Sequence, residues 1–336
     1  MLNAPLPDLA AGMALRRNAA GVRLQIERAA SELATGQRGD LVRASGGDPA
    51  RLFAIERART MAMRDAEGLA LAESRISASQ SALGKLQELT GAIGVPLMAA
   101  LGRGDLGMAK VLSAEAEDAF RLAALTVNER FAGRSLFAGA AVDGPAIISA
   151  DEMLTELRAV LAAAPDANAA IADLHAWFDA PGGGFETAAW LGDPLDAPRV
   201  GLGDGQTEVL APRGDAAEFR AVLKGLAFGA LANDPALVAP PATVPQLLQE
   251  AAAITLAARE NLIAMRADVG FAEQRIEEAA VRASGRRSAL ELAWNAAVLR
   301  DPYDAATQFQ ALETQMQTVF TLTARLSRLT LNDFLR

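Results

Sequence analysis

Leu15, Ala19, Val22, Ile26, Ala29 and Leu33 follow one another at intervals of four, three, four, three and four residues, a narrow heptad seam near the start of the chain. A seam of the same kind, Ala305, Phe309, Leu312, Met316, Val319, Thr323 and Leu326, occupies the other end. Each is followed or preceded by a break from which the next helix opens with the same two residues. In "TGQRGDLVRASGGDPARL", Asp48 stands as N-cap and Pro49 as the first helical residue; in "RDPYD", Asp301 and Pro302 repeat the arrangement, with Asp304 in the first turn where the helix dipole favours an acid. A chain patterned this way predicts two terminal helices lying side by side as a rod, each joined through a capped break to a longer inner helix.

The inner helices keep the rhythm. Leu69, Ala72, Ile76, Ser79, Leu83, Leu86 and Thr90 mark a second helix expected to end near Gly91 and Gly94, and Leu112, Ala116, Ala119, Ala123 and Val127 mark a third from about Leu106 to Arg130. Leu262, Met265, Val269, Ala272, Ile276, Ala279 and Ala283, continuing through Leu290, Trp294 and Ala297, describe the long helix that leads into the last break. The middle differs in texture. "ADEMLTELRAVLAAA", "AAIADLHAWFDA" and "AEFRAVLKGLAFGAL" read as helices, "DPALVAPPATVP" as a connector, and "PGGGFETAAWLGDP" and "RVGLGDGQTEVLA" as short strands, the second turning at Asp204-Gly205. The fold class expected is mainly α: a long antiparallel helical bundle or coiled coil formed by both chain ends, with a small α+β insertion containing short hairpins. The expected division is residues 1–35 with 301–336 as the terminal rod, 36–140 with 215–300 as a helical bundle, and 141–214 as the insertion.

Chemistry is sparse. The chain has no cysteine and one histidine, His175, which leaves no thiolate ligands and no second imidazole for a zinc site or a catalytic triad. "GLGDGQ" (201–206) is followed by strand-like "TEVL" rather than a helix, so it reads as a turn and not a phosphate loop. Glu115, Glu117 and Asp118 read as a solvated face. No cofactor and no enzymatic activity is expected. A net charge of −9 and no visible Lys/Arg cluster argue against nucleic-acid binding. The longest apolar run, around 95–101, is too short to span a bilayer, and Arg16 and Arg17 follow the first apolar residues instead of preceding them, so neither membrane insertion nor a cleaved signal is expected.

The end of the chain raises the functional question, because Leu322, Leu326, Leu329, Leu331 and Phe334 carry apolar character almost to the carboxyl terminus. Ordering some thirty residues costs backbone entropy that a narrow, alanine-containing seam repays poorly, so the termini are expected to be largely unfolded alone and to become helical when neighbouring copies supply the rest of the seam.

Three stretches resemble the bacterial flagellin superfamily. "ERAASELATGQRGDLVRASGGDPARLFAIERA" resembles its N-terminal signature, "VNERFAGRSLFAGAAVDGPA" the segment where the third helix gives way to a Leu-Phe-x-Gly turn, and "ATQFQALETQMQTVFTLTARLSRLTLNDFL" its C-terminal helix. Gly47-Asp48-Pro49, Leu136 to Gly139 and the Leu-x-Leu-x-x-Phe-Leu ending at Leu329 to Leu335 are more similar to the hook–filament junction branch, among the hook-associated proteins, than to filament flagellin, whose usual Asp-Asp-Ala-Ala-Gly start is missing. Gly47 stands where an acidic residue is usual.

The resemblance implies a structural component of the bacterial flagellum, exported unfolded through the flagellar type III apparatus without a cleaved signal and assembled outside the cell. The implied partners are other copies in a ring, the adjacent hook-associated protein, flagellin and an export chaperone. It assigns subunit assembly to Leu15, Val22, Ile26, Leu33, Phe309, Leu312, Met316, Val319 and Leu326, and chaperone contact to Leu322, Leu329 and Phe334. Filament flagellin is the alternative within the family; a cytosolic coiled-coil scaffold is the alternative outside it.

Overall fold

In the computed structural model the described residues are 6–44, 48–240 and 242–334; Gly46 and Gly47 of the first break, Leu335 and the side chains of Leu326, Leu329 and Phe334 lie outside them. Helices dominate: α1 (Leu6–Thr35), the short α2 (Leu41–Ala44), α3 (Pro49–Gly102), α4 (Leu106–Val127), α5 (Ala150–Ala163), α6 (Ala167–Asp179), α7 (Ala217–Ala232), α8 (Thr243–Val298) and α9 (Pro302–Phe334). Two small antiparallel hairpins complete the fold, β1 (Arg130–Phe131) with β2 (Arg134–Ser135) and β3 (Arg199–Gly203) with β4 (Gln206–Val209). The protein is therefore mainly α with small β hairpins. Two compact units are formed, Met1–Met63 with Ser284–Arg336, and Arg64–Ala283. The divisions fall inside α3 and α8.

Both Asp-Pro breaks cap helices as their sequence dictates. The Asp48 carboxylate accepts from the Ala50 amide (2.9 Å) and that of Asp301 from the Tyr303 amide (2.8 Å), while each intervening proline has no N–H to satisfy.

In the larger unit the expected stripes are the core: Leu69, Ala72, Ile76, Ser79, Leu83, Leu86 and Thr90 of α3, all five named positions of α4, and Leu262, Val269, Ala272, Ile276 and Ala279 of α8 are buried. One boundary differs. Helix α3 does not stop at Gly91 and Gly94 but runs on to Gly102, through Pro96. The two glycines serve close approach instead: a Cβ on Gly94 would sit 3.1 Å from Thr255 Cβ and one on Gly91 3.2 Å from Arg259 Nε, both on α8. A Cβ on Gly225 of α7 would likewise sit 3.0 Å from the amide nitrogen of the same Thr255. Small residues here let two helices, α3 and α7, converge on one turn of α8.

A second expectation also fails. "PGGGFETAAWLGDP" is not a strand; Phe185–Ala189 form a π turn, with the Trp190 amide donating to the Phe185 carbonyl at 2.8 Å. Phe185 and Ala189, four residues apart, are both buried, a helical spacing hidden by the glycines in front of it. Trp190 then makes one isolated bridge to Ile147. The β3–β4 hairpin does turn at Asp204-Gly205, with φ of 51° and 76°, the paired positive values of a type I′ turn. Its β4 is tied to α8 by a bidentate pair from Arg275 to Glu208 (2.7 and 3.0 Å), which holds the Glu208 carboxyl below its usual range.

Candidate assembly surface

In the smaller unit α1 and α9 lie against one another, and the joint between them is made of main chain. α1 ends when Gly36 takes φ +66° and donates its amide to the Glu32 carbonyl at 2.9 Å. Gln37 then pairs antiparallel with Leu299: the Arg38 amide donates to Val298 O (2.8 Å) and the Arg300 amide to Gly36 O (2.9 Å). The Arg38 guanidinium adds a bond to Leu299 O at 3.0 Å, and the Glu32 carboxylate receives the Gly39 amide at 2.8 Å with Arg300 Nε 3.9 Å away. These bonds fix the end of α1 beside the start of α9, so the two helices run antiparallel. Nearby, Arg59 of α3 reaches Glu291 (3.7 Å) and lies over the Trp294 ring at 5.7 Å, both on α8. The two-residue clamp leaves no periodic trace in the sequence; the run Thr35-Gly36-Gln37 reads only as a helix stop.

The assembly residues named from the seam separate into three groups. Val22 and Leu312 are buried in the α1–α9 contact, as are Ala29 and Ala305. Leu15, Ile26, Phe309, Met316 and Val319 are half-buried. Leu33 is exposed, and Leu326 lies outside the described residues. Of the residues assigned to chaperone contact, Leu322 is exposed; Leu329 and Phe334 lie outside the described residues.

The outer face of α9 is as notable as its seam. Residues 314–324 contain no charged side chain, although Phe320 is 62% exposed and Leu322 is exposed beside it. The hydroxyls of Thr314, Thr318, Thr321 and Thr323 each donate to a carbonyl one turn back on the same helix, at 2.7 to 3.0 Å. With their hydroxyls satisfied internally, these threonines present little beyond a methyl group to whatever lies outside. Met13 and Leu24 are exposed on α1. A helix facing water normally carries charge on that side; this stretch carries none.

The remaining polar groups singled out in the sequence do ordinary work. His175 pairs with Glu250 (Nε2 to Oε2, 3.3 Å) and packs on Phe228. Glu117 and Asp118 share Arg121 with Asp151, at 2.7, 3.8 and 3.2 Å, and the hydrogen bond to Asp151 is the first cause raising the Arg121 pKa. No group of three or more potential metal ligands occurs among the described residues, and no helix among them is long and apolar enough to cross a membrane.

Residues 252–335, α9 and most of α8, match the family described as the bacterial flagellin C-terminal helical region. The surface just described, the charge-free outer face of α9, therefore lies in a flagellin-type C-terminal region, and the match supports a structural part in the flagellum. Among solved structures, one described as a flagellar hook-associated protein from Vibrio parahaemolyticus is similar, at 11% identity and a TM-score of 0.46 over 74% of this chain and 98% of that one. No curated protein sequence matches the chain.

Proposed function

We propose that the protein is an adaptor at the junction of hook and filament, a non-enzymatic subunit that polymerises outside the cell through its terminal helices. The observation that carries this reading is the charge-free outer face of α9 from 314 to 324, paired on its inner side with α1 and open on the other. Neighbouring copies in a ring cover that face, with the adjacent hook-associated protein on one side and flagellin on the other. Before assembly the chain passes unfolded through the flagellar type III apparatus, its C-terminal helix covered in the groove of an export chaperone that receives Leu322, Leu329 and Phe334. The terminal helices, 1–35 with 301–336, act as the assembly rod.

Two motifs favour the junction over filament flagellin: Gly47-Asp48-Pro49 at the start of α3 and Leu136 to Gly139 after α4. Electron microscopy of a strain deleted for the gene separates the two. The junction reading expects intact hooks without filaments and flagellin released into the medium, with the protein forming only a small share of sheared filament mass in the parent strain. Filaments persisting in the deletion strain, or this protein making up nearly all of that mass, contradicts it.

A further inference from the structure

Charge is divided unevenly along the chain. Residues 1–63 with 284–336 hold 15 Lys/Arg and 11 Asp/Glu, whereas residues 64–283 hold 17 and 30. The smaller unit is net basic and the larger one strongly acidic, so in a polymer of copies like units repel and unlike units attract.

The larger unit also has a groove suited to apolar side chains. It lies between α4 and the start of α5, about 510 Å³ in volume, within the size of clefts that hold a ligand. The buried Ile147 lines it, and Leu125 and Leu191, 67% and 49% exposed, stand at its edge. Its rim is acidic. Arg121, the one cation among its described lining residues, already answers Glu117, Asp118 and Asp151. Glu152 adds a further carboxylate, held below the usual range by bonds from the Ser149 hydroxyl first and the Ser149 amide second. An occupant that suits this groove is both apolar and basic.

The chain's own exposed apolar side chains can be sorted by charge. Phe271 and Val281 of α8 are accompanied by Glu277 and Glu278, and Phe320 and Leu322 of α9 by no charge at all. On α1, Met13 and Leu24 stand near Arg17 and Arg28, but they are eleven positions apart on a helix expected to form only as neighbours assemble. Helix α3 meets both requirements. Phe53, Arg57 and Met61 form a row at four-residue spacing, with Phe53 61% and Met61 57% exposed. Arg57 between them is exposed and has no carboxylate partner among the described residues.

We propose that the Phe53, Arg57 and Met61 row of one copy docks in the groove between α4 and α5 of the next copy, Phe53 against Leu125 and Leu191 and Arg57 toward Asp151. The contact joins two different surfaces, so it is head-to-tail and propagates from copy to copy instead of closing on a pair. It rests on the reading that copies polymerise, and adds a second, directional contact to the one across α9.

The chain has no cysteine, so engineered ones report contacts without background. Cells lacking the native gene and co-expressing two full-length variants, Phe53→Cys and Leu191→Cys, supply flagella for oxidation with copper phenanthroline. A disulfide-linked dimer containing both variants is expected, absent from either variant alone and from Phe53→Cys paired with Phe271→Cys. Adding Arg57→Glu to the Phe53→Cys chain is expected to cut its yield about fivefold. An unchanged yield, or linkage as strong to Phe271→Cys as to Leu191→Cys, overturns the proposal. So does p-benzoylphenylalanine in place of Phe53 that photocrosslinks to a different protein and not to a second copy. The same photoreactive residue in place of Phe320 reads the α9 face separately. Copies linked through position 320 with no link from 53 to 191 overturn this docking and leave the polymer standing, whereas linkage at neither position overturns both.

Discussion

Phe320→Asp is expected to abolish assembly while leaving the melting of the isolated protein unchanged. Phe320 is 62% exposed, so a carboxylate there meets only water in a single copy, and surface replacements of this kind stay within about 0.5 kcal/mol. In an assembly that covers the 314–324 face the same carboxylate is trapped among methyl groups with no cation between Glu313 and Arg325 to answer it, a burial costing several kcal/mol for each subunit. Leu312→Asp makes the contrasting control. Leu312 is 7% exposed inside the α1–α9 contact, so its replacement blocks assembly by another route, by preventing the pairing of α1 with α9 that forms as neighbours assemble. Circular dichroism is expected to show monomers of both variants unchanged, and electron microscopy of cells carrying each reads the loss of assembly. Normal filaments on cells with Phe320→Asp would mean that the outer face of α9 is not covered.

Gly139→Ala should unfold the larger unit's hairpin region and cost about 3 kcal/mol or more. The glycine ends the Leu-Phe-x-Gly turn with φ +64°, a conformation that strains any residue with a Cβ by about 1–3 kcal/mol. Space is a second obstacle: the added Cβ would lie 2.5 Å from the Leu195 carbonyl oxygen and 2.6 Å from that of Asp193. Both are backbone atoms held in the same turn, where Leu195 O accepts from the Ala140 amide (3.1 Å) and the Asp193 amide donates to Ala138 O (3.0 Å). The preceding Leu136 and Phe137 are buried, so the motif amounts to two core anchors followed by a residue that must have no side chain. Urea denaturation is expected to show a midpoint clearly below wild type, whereas Gly144→Ala, at a glycine with open space around it, should leave it within error. A Gly139→Ala midpoint equal to wild type would contradict this account of the motif.

The helices and their caps were legible because both leave marks at fixed spacing: Leu112, Ala116, Ala119, Ala123 and Val127 name their own stripe, and Asp48-Pro49 and Asp301-Pro302 announce α3 and α9. Gly91 and Gly94 misled because a glycine that ends a helix and one that admits a neighbouring helix are the same letter; only Thr255 and Arg259, more than 150 residues away in sequence, tell them apart. The same holds for Phe185 and Ala189, whose four-residue spacing is masked by three glycines. The Gln37–Leu299 clamp and the groove between α4 and α5 depend on long-range juxtaposition and carry no local signal at all. On the terminal helices the seam itself was readable, but its inner and outer faces separate only once α1 and α9 are paired: Leu33 faces out and Val22 faces in, though both obey one heptad.

Hydrogen exchange on the dilute monomer, compared with the assembled state, tests most directly whether the terminal helices are completed by neighbours. Amides of residues 8–33 and 305–334 are expected to exchange rapidly in the monomer, while those around Leu83, Leu86 and Leu226 in the larger core stay protected, and the terminal amides should become protected on assembly. Terminal amides as strongly protected as that core in a lone copy would contradict the account.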